Sequence, residues 1–157
     1  MASAAAAAYT AADVPHQLVD LTELELPLCD GDSCYGHPDV QKLSAAVSES
    51  ASILVASPIY NFDVSASCKN VIELTGKAWT GKVVGFLLAA GGQGSYMGVM
   101  GLANSLMLDF RCLILPRFCY ATGETFNGND LAETDVADRI NELVQTSIRV
   151  GNSLTES

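Results

Sequence analysis

The sequence predicts an α/β fold in which a parallel sheet is covered by helices on both faces. Short apolar runs alternate along the chain with stretches of helical periodicity. Strands that are buried on both faces contain near-continuous apolar runs, and parallel strands need crossover helices between them, so the alternation favours a parallel sheet. The chain has 157 residues, of which 49% are apolar. This length and composition predict one domain over residues 1–157.

The first third of the chain predicts two helices around one short strand. Met1–Ala12 is almost all alanine, the best helix former, and is expected to be a short helix. His16–Leu21 is expected to be a strand, and Leu26–Gly36 is a turn-rich loop. Pro38–Glu49 predicts a helix because proline suits a first helical turn and apolar residues recur on one face. These apolar residues are Val40, Leu43 and Val47.

The middle of the chain predicts two buried strands around a short helix. Ile53–Ala56 is a continuous apolar run, typical of a strand buried on both faces, and is expected to stop at Ser57-Pro58. Ser65–Leu74 has the pattern of a short helix. Lys82–Ala89 is the second apolar run and is the next expected strand.

The last third predicts a long helix, a third strand and a final helix. Ser95–Phe110 has apolar residues at helical spacing, and its methionines are interpreted as core packing. Arg111–Leu115 is the third apolar strand. Asp135–Leu154 is the last helix, with Val136, Ile140, Leu143 and Val144 expected to face inward. Trp79 is expected to cover the end of the sheet.

The charge balance excludes two classes of partner. The chain has 8 basic and 18 acidic residues, a net charge of −10, and residues 1–41 carry seven acids and no Lys or Arg. A nucleic-acid-binding protein needs a basic stripe that this chain lacks, and an anionic membrane surface would repel it. No run approaches the 18 apolar residues of a membrane-spanning helix. We therefore expect neither a nucleic-acid nor a membrane partner.

The cysteines predict a cytoplasmic protein with reduced thiols. Their number is odd, no C-x-x-C spacing occurs, and the chain has no Asn-x-Ser/Thr glycosylation site. The five are Cys29, Cys34, Cys68, Cys112 and Cys119. The first basic residue is Lys42, so the N-terminal segment does not resemble a signal or transit peptide. His16 and His37 are isolated, and we expect no metal site and no side-chain nucleophile.

Two segments at the carboxyl ends of predicted strands form the candidate site, because open parallel sheets bind ligands at that edge. The first, Ser57 to Phe62, offers two aromatic faces and an amide, which suit a planar heteroaromatic ring with polar edges. The second, Gly91 to Ser95, lets a ligand approach the backbone closely. The alternatives are an ordinary turn with two core aromatics and a tight strand-to-helix turn. The predicted binding residues are Ser57, Pro58, Ile59, Tyr60, Asn61, Phe62, Gly91, Gly92, Gln93, Gly94 and Ser95.

A phosphate-binding pattern elsewhere is rejected. Gly76–Lys82 matches G-x-x-x-x-G-K, but Val83 stands in place of the Ser or Thr that the motif requires. The pattern also precedes a predicted strand, whereas a phosphate-binding loop follows a strand and opens a helix.

The first segment resembles a known signature. Ser57–Phe62 followed by Ser65–Asn70 resembles the P-x-Y-N…L-K-N motif of NADPH-dependent FMN reductases, a family that includes quinone, chromate and azo-dye reductases. Ala89–Gly94 resembles the second flavin loop of that family. Cys68 departs from the usual leucine. The resemblance implies a flavodoxin-like, three-layer α/β/α fold with strand order 2-1-3-4-5.

The same resemblance implies a function. The two segments would flank the isoalloxazine ring of FMN, and hydride would pass from NAD(P)H to the flavin and then to a quinone, free flavin or similar acceptor. The protein would position the cofactor and would supply no nucleophile. Members of the family usually form homodimers or homotetramers.

The chain departs from the family at its start. The resemblance implies that Met1–Ala12 corresponds to the first helix of the family, so we expect the first strand and its Ser/Arg-rich phosphate loop to be missing; only Ser3 and Thr10 offer hydroxyl groups in Met1–Ala12. Weak binding of the FMN phosphate is therefore expected. The strands near residues 18–21 and 53–56 would pair directly in a narrower sheet, or the chain is an N-terminally truncated form of a complete enzyme.

Two other functions remain open on sequence grounds. A non-catalytic flavodoxin-like module would serve oligomerisation or partner binding, as the missing phosphate loop suggests. A one-electron carrier would use the acidic surface to bind a basic redox partner, although the P-x-Y-N signature favours the reductases.

Overall fold

A computed structural model describes residues 1–128, 130–131 and 134–155. The fold contains five helices, several 3₁₀ turns and seven short or medium strands in these residues. The helices are α1 (Ala2–Ala11), α2 (Pro38–Glu49), α3 (Ala66–Thr75), α4 (Met100–Phe110) and α5 (Thr134–Thr155). The strands are β1 (Ser52–Tyr60), β2 (Asp63–Val64), β3 (Val83–Ala90), β4 (Leu113–Ile114), β5 (Cys119–Thr122), β6 (Phe126–Asn127) and β7 (Asp130–Leu131). In the described residues, no helix has the length and apolar character needed to cross a bilayer.

The centre of the main sheet is β3. Its residues Val83–Ala89 pair in parallel with Ser52–Pro58 of β1. On the opposite edge of β3, β4 pairs with its beginning and β5 with its end, both in parallel. Strand β2 folds back antiparallel on the end of β1, and β6 and β7 form a separate two-stranded sheet. The fold is a mostly parallel α/β sheet, as the sequence predicts.

Helices cover both faces of this sheet because the side chains of β3 alternate between two apolar clusters. Val84, Phe86 and Leu88 face the cluster that contains apolar residues of α2, α3 and α4. Val83 and Leu87 face the second cluster, to which α1 and α5 contribute. All of these β3 residues are buried. The three-layer arrangement is therefore the consequence of a central strand that is apolar on both sides.

Several predicted elements are confirmed. The predictions for α1, α2, α3, β3 and α5 agree with the observed bounds to within one or two residues. The predicted inward-facing residues are buried: Val40, Leu43 and Val47 on α2, and Val136, Ile140, Leu143 and Val144 on α5. Regular apolar spacing predicts these elements well because each of them buries one side against the sheet.

The predicted strand at His16–Leu21 is wrong. This segment is extended but unpaired, and it ends in a 3₁₀ turn at Leu21–Glu23, where the Asp20 carboxylate accepts a hydrogen bond from the Thr22 amide (2.9 Å). It does not pair with β1, so the narrower sheet is not formed either. Within the described residues, β1 has no partner over Ser52–Pro58 on the edge away from β3. His16–Leu21 is not a strand because, in the part of the chain that the structure describes, it has no neighbouring strand with which to form backbone hydrogen bonds.

Strand β1 differs from the predicted first apolar strand in its end point and in its burial, and its edge, which is unpaired among the described residues, explains both differences. Strand β1 continues past Ser57-Pro58 to Tyr60, beyond the expected end. Proline has no N–H to donate, and an edge strand tolerates it because one side of the strand needs no donor. Most of the run at Ile53–Ala56 is only half-buried, and Ala56 is exposed, so the expectation of burial on both faces is wrong for β1.

The predicted long helix is divided. A 3₁₀ segment covers Gln93–Val99, with a non-helical backbone at Ser95, and α4 begins only at Met100. Val99, Ala103 and Leu106 are buried as helical spacing predicts. The interpretation of the methionines as core residues is wrong, because Met97, Met100 and Met107 are all exposed. Met97 lies on the exposed side of the 3₁₀ segment, and Met100 and Met107 lie on the exposed side of α4.

The predicted third strand is shorter than expected and continues in a second piece. Only Leu113–Ile114 pairs within the predicted range, and Cys119–Thr122 then pairs further along β3. Pro116 and Arg117 lie between the pieces, and Arg117 has a left-handed backbone (φ 60°). A proline and a left-handed residue interrupt strand pairing, which explains the division.

Alkaline pH is expected to destabilise the fold through its buried thiols. Burial raises the pKa of Cys119 from 9.0 to about 11. Between these values the unfolded chain loses the thiol proton while the folded chain keeps it, so the free energy of unfolding falls as pH rises from about 9 to about 11. We expect Cys119→Ala to reduce the decline in the urea midpoint between pH of about 8 and about 10.5. An unchanged decline would contradict this assignment.

Candidate functional site

The first predicted binding segment is the end of a β-hairpin. Strand β1 runs to Tyr60, a two-residue turn follows at Asn61–Phe62, and β2 begins at Asp63. Tyr60 pairs with Asp63 across the hairpin. The Asp63 carboxylate accepts a hydrogen bond from the Val64 amide (2.8 Å), which fixes the beginning of β2.

The side chains of this segment divide between the core and the surface. Ser57 and Ile59 are buried, and Pro58 is half-buried. Tyr60 and Phe62 are exposed by 63% and 56%. Large exposed aromatic side chains close together are unusual on a protein surface and are typical of binding sites. Tyr60, Asn61 and Phe62 are therefore the most accessible residues of the first predicted segment.

The hairpin turn has a strained backbone. Asn61 and Phe62 both have positive φ values, 52° and 65°. Two successive positive φ angles match the tight turns that join antiparallel strands, where asparagine is common. A phenylalanine in this region is unfavourable, and such strain is concentrated at functional sites.

The second predicted segment presents exposed backbone. Gly91, Gly92 and Gly94 are exposed, and a Cβ atom built on any of them would meet nothing within 4 Å. None of the three has a positive φ angle. Neither packing nor backbone conformation requires glycine here, so the absence of side chains leaves the backbone open to a ligand.

The two segments lie at the same edge of the sheet. The parallel register places Pro58 beside Ala89, so the segments follow from neighbouring strand ends. Gly98 then brings the 3₁₀ segment against the hairpin: a Cβ atom at Gly98 would lie 3.0 Å from the backbone carbon and oxygen of Phe62 and 3.1 Å from Ile59 Cγ2. Only glycine allows this close approach without displacement.

Aromatic residues hold the glycine segment from its other side. The Tyr120 hydroxyl donates a hydrogen bond to the carbonyl oxygen of Gly92 (2.6 Å). The Tyr96 ring lies 4.9 Å from the Phe118 ring and 5.4 Å from the Tyr120 ring, between centroids. Such spacing is that of favourable aromatic pairs. Strand β5 thus positions the loop that follows β3.

Tyr120→Phe is expected to loosen this loop while the fold persists. The substitution keeps the ring contacts and removes one hydrogen bond, for a loss of about 0.5–1.5 kcal/mol in unfolding free energy. Hydrogen exchange at the amides of Gly92–Gly94 should become faster. Tyr35→Phe is the matched control, because it also removes one tyrosine hydroxyl, which lies 3.7 Å from Cys29 Sγ and not at Gly92. Equal exchange rates in both variants would contradict a role of Tyr120 in fixing the loop.

Two cavities lie outside the hairpin. One of about 200 Å³ adjoins the glycine segment and is bounded in part by Gln93, Tyr120 and Arg139. A larger one, of about 530 Å³, lies between α2 and the end of α3. Neither is bounded by Tyr60 or Phe62. The segments Tyr60–Phe62 and Gly91–Ser95 are mostly exposed and together form what we call the shelf, of which Gln93 also borders the smaller cavity.

The polar residues of the first motif have structural contacts. Ser57 Oγ accepts a hydrogen bond from the Ser65 amide (3.1 Å), which joins β1 to the start of α3. Asn70 accepts a hydrogen bond from the Cys29 amide and donates one to the Pro27 carbonyl, both at 2.9 Å. Lys69 Nζ lies 3.3 Å from Glu73 Oε1 on the surface of α3. These residues stabilise the frame around the shelf.

The sequence did not single out Gly98 or the aromatic group formed by Tyr96, Phe118 and Tyr120. A glycine inside a predicted helix is unfavourable and usually has a packing reason, and this signal could have identified Gly98. No local signal linked Tyr120 to Gly92, because the two residues are 28 positions apart.

Comparisons with known proteins identify a family for this chain. Residues 1–127 match the family described as NADPH-dependent FMN reductase. The chain is 28% identical over 146 residues to an NAD(P)H-dependent FAD/FMN reductase from Geobacillus thermodenitrificans, covering 90% of this chain and 78% of that protein.

Solved structures share the fold. The flavoenzyme NAD(P)H:(acceptor) oxidoreductase FerB from Paracoccus denitrificans superposes with a TM-score of 0.75 at 17% identity, over 96% of this chain and 86% of FerB. An oxidoreductase from Corynebacterium diphtheriae gives a TM-score of 0.70 at 22% identity, over 94% and 84% of the two chains. A flavodoxin-like, WrbA-like protein from Agrobacterium tumefaciens also matches, with a TM-score of 0.65 at 15% identity over 97% and 90%.

The flavodoxin-like fold and the match over residues 1–127 lead to one assignment, with FMN as cofactor and NAD(P)H as reductant. The chain belongs to the NADPH-dependent FMN reductase family and is an NAD(P)H-dependent oxidoreductase.

Proposed function

We propose that the hairpin Tyr60–Phe62 and the segment Gly91–Ser95 hold the isoalloxazine ring of FMN. The observation that carries the proposal is the contact of Gly98 with Phe62, which keeps both segments at one edge of the sheet. Bound there, FMN would take hydride from NAD(P)H and pass the electrons to a second small molecule.

The residues of the shelf would bind and orient the ring. Tyr60 and Phe62 provide flat apolar surfaces that exclude water. Gly91, Gly92 and Gly94 are exposed and have no side chains, so their backbone can approach the electronegative edge of a heteroaromatic ring. Asn61 adds an exposed amide that can donate and accept.

The proposed acceptor is a quinone, free flavin or similar planar molecule. Tyr60, Asn61 and Phe62 are exposed to solvent, so a planar reductant and a planar acceptor can use the same exposed face in turn. The exposed aromatic side chains favour planar, apolar molecules over small polar ones.

We further propose that binding depends mainly on the ring and weakly on the FMN phosphate. Residues 1–41 carry seven acidic residues and no Lys or Arg. A phosphate dianion near that segment gains little from electrostatics. FMN and riboflavin should therefore have similar dissociation constants in a flavin fluorescence titration, and a strong preference for FMN would contradict this part of the proposal.

Phe62→Gly tests the ring site directly. Glycine adopts the φ of 65° without steric cost, so we expect the unfolding free energy to stay within about 1 kcal/mol of the parent. FMN affinity should fall roughly threefold to tenfold, which corresponds to about 0.5–1.5 kcal/mol of lost aromatic contact. The rate of quinone-dependent NADPH oxidation at limiting FMN should fall as well.

Leu108→Ala is the matched control, because Leu108 is a large exposed apolar residue on α4, outside the predicted segments. It should leave FMN affinity unchanged. Equal effects of both substitutions on FMN affinity would refute the ring site. A parent protein that does not bind FMN would also refute it and would favour a non-catalytic module.

We propose that the chain is cytoplasmic, forms one domain and assembles as a homodimer or homotetramer. The five cysteines are free thiols, in keeping with a reducing compartment. The exposed side chains of Met97, Met100 and Met107 supply an apolar face for a second copy. Light scattering should give two or four times the chain mass, and Met100→Lys should shift the protein towards the monomer.

A further inference from the structure

A pair of cysteines lies in the loop before α2, away from the shelf. Cys29 Sγ and Cys34 Sγ are 4.0 Å apart, and neither sulfur is bonded to another cysteine. Cys29 is half-buried, whereas Cys34 is buried in a small cluster with Val40 and Leu74. The remaining three cysteines are buried in the two large clusters. Cys29 is thus the accessible member of a preformed pair.

Hydrogen bonds fix the backbone at both cysteines. The Cys29 amide donates to Asn70 Oδ1 (2.9 Å), and the Cys34 amide donates to Asp30 Oδ1 (3.1 Å). The Asp30 carboxylate also accepts from the Ser33 hydroxyl (2.7 Å). Between the cysteines the chain reverses at Gly31, whose φ of 76° suits glycine. The two sulfur atoms are therefore held near each other by the loop itself.

The chemistry of the Cys29–Cys34 pair favours thiol exchange over metal binding. In the described part of the chain, no group of three or more His, Cys, Asp and Glu side chains is arranged to hold a metal ion. Burial, together with the hydrogen-bonded Asp30 carboxylate, raises the pKa of the Cys34 thiol. Cys34 is thus suited to react second, after an external oxidant has modified the accessible Cys29.

We propose that Cys29 and Cys34 form a reversible disulfide when the protein meets a small-molecule disulfide such as oxidised glutathione. The Cys29 thiolate attacks one glutathione sulfur, the bond between the two glutathiones breaks, and one glutathione thiolate leaves. The Cys34 thiolate then attacks Cys29 Sγ and displaces the second glutathione. Two protons pass to solvent, and the two electrons lost by the cysteines reside in two reduced glutathiones.

The required movement is small. A disulfide bond is about 2.0 Å long, so the sulfur atoms must approach by about 2 Å from their present separation of 4.0 Å. The Cys29 sulfur, now 3.7 Å from the Tyr35 hydroxyl, would move by rotation of the Cys29 side chain. The backbone hydrogen bonds of Cys29 and Cys34 can remain during this rotation.

Mass spectrometry of the full chain in glutathione buffers tests this site independently of flavin binding and activity. The first Lys or Arg is Lys42, so the tryptic peptide 1–42 contains Cys29 and Cys34 and no other cysteine. After equilibration with oxidised glutathione, acid quenching and alkylation, this peptide should lack both alkyl groups and carry no glutathione. Cleavage before Asp30 and Asp32 should leave fragments joined through sulfur, and dithiothreitol should restore both thiols.

Variants assign the order of the two steps. Cys34→Ser should stop at a mixed disulfide between Cys29 and glutathione, whereas Cys29→Ser should leave Cys34 largely unmodified. Cys68→Ala is the matched control and should retain the bond in full. If the parent keeps both thiols reduced in oxidised glutathione, carries a separate glutathione on each, or links either cysteine to another partner, the proposal is overturned.

Discussion

Gly98→Ala is expected to disrupt the candidate site and to weaken the fold at the same time. The new Cβ atom would lie 3.0 Å from the backbone carbon and oxygen of Phe62, and this backbone belongs to a strained turn that cannot yield easily. Overpacking of this kind costs about 1–3 kcal/mol. The hairpin and the 3₁₀ segment should separate by a fraction of an ångström or more, and FMN affinity should fall roughly tenfold, or ~1.4 kcal/mol.

Gly101→Ala is the control for this substitution. Gly101 lies three residues further on, in α4, and a Cβ atom there would meet nothing within 4 Å. Alanine in a helix is favoured over glycine by up to about 1 kcal/mol, so this variant should be slightly more stable and bind FMN normally. Urea unfolding followed by the fluorescence of Trp79, with flavin titrations, measures both effects. Equal behaviour of the two variants would show that the close approach at Gly98 does not hold the site together.

Trp79→Ala is expected to cause the largest loss of stability. Trp79 is buried in the main cluster, and its indole N–H donates to Thr75 Oγ1 (2.7 Å). The Cys112 thiol donates to the Trp79 carbonyl (3.1 Å), so the residue joins the end of α3 to the segment before β4. Removing a buried tryptophan costs about 3–5 kcal/mol. This is a large part of the stability of an ordinary domain, and the urea midpoint by circular dichroism should fall steeply.

Trp79→Phe separates packing from any role in cofactor binding. Phenylalanine keeps most of the apolar contact and loses one hydrogen bond, while Thr75 continues to donate to the Val71 carbonyl (2.6 Å). The expected loss is about 1–2 kcal/mol, with unchanged FMN affinity. Normal stability combined with weak flavin binding would instead place Trp79 in the site.

Local patterns predicted those elements that depend on one buried face. The helical spacing of Val40, Leu43 and Val47 identified α2, and the apolar run at Lys82–Ala89 identified β3, because each element buries its apolar side chains. The signature around Tyr60 and the glycines at Gly91 and Gly92 identified the family and the two segments of the candidate site. Such signals depend only on residues close together in the chain.

The elements that failed depend on distant partners. His16–Leu21 has the composition of a strand, but a strand needs a neighbour to take its hydrogen bonds, and the described fold provides none there. The methionines have helical spacing, but whether their face is covered depends on what packs against α4, and they are exposed. Spacing gives the side of a helix on which a residue lies, and it does not give what that side contacts.

The sequence by itself determined the α/β class, the family and the identity of the two segments at the sheet edge. Only the tertiary structure decided that Gly98 packs against Phe62, that Tyr120 holds Gly92, and that Cys29 lies beside Cys34. The physical reason is range: propensity and periodicity act over a few residues, whereas a contact between surfaces depends on how the whole chain folds.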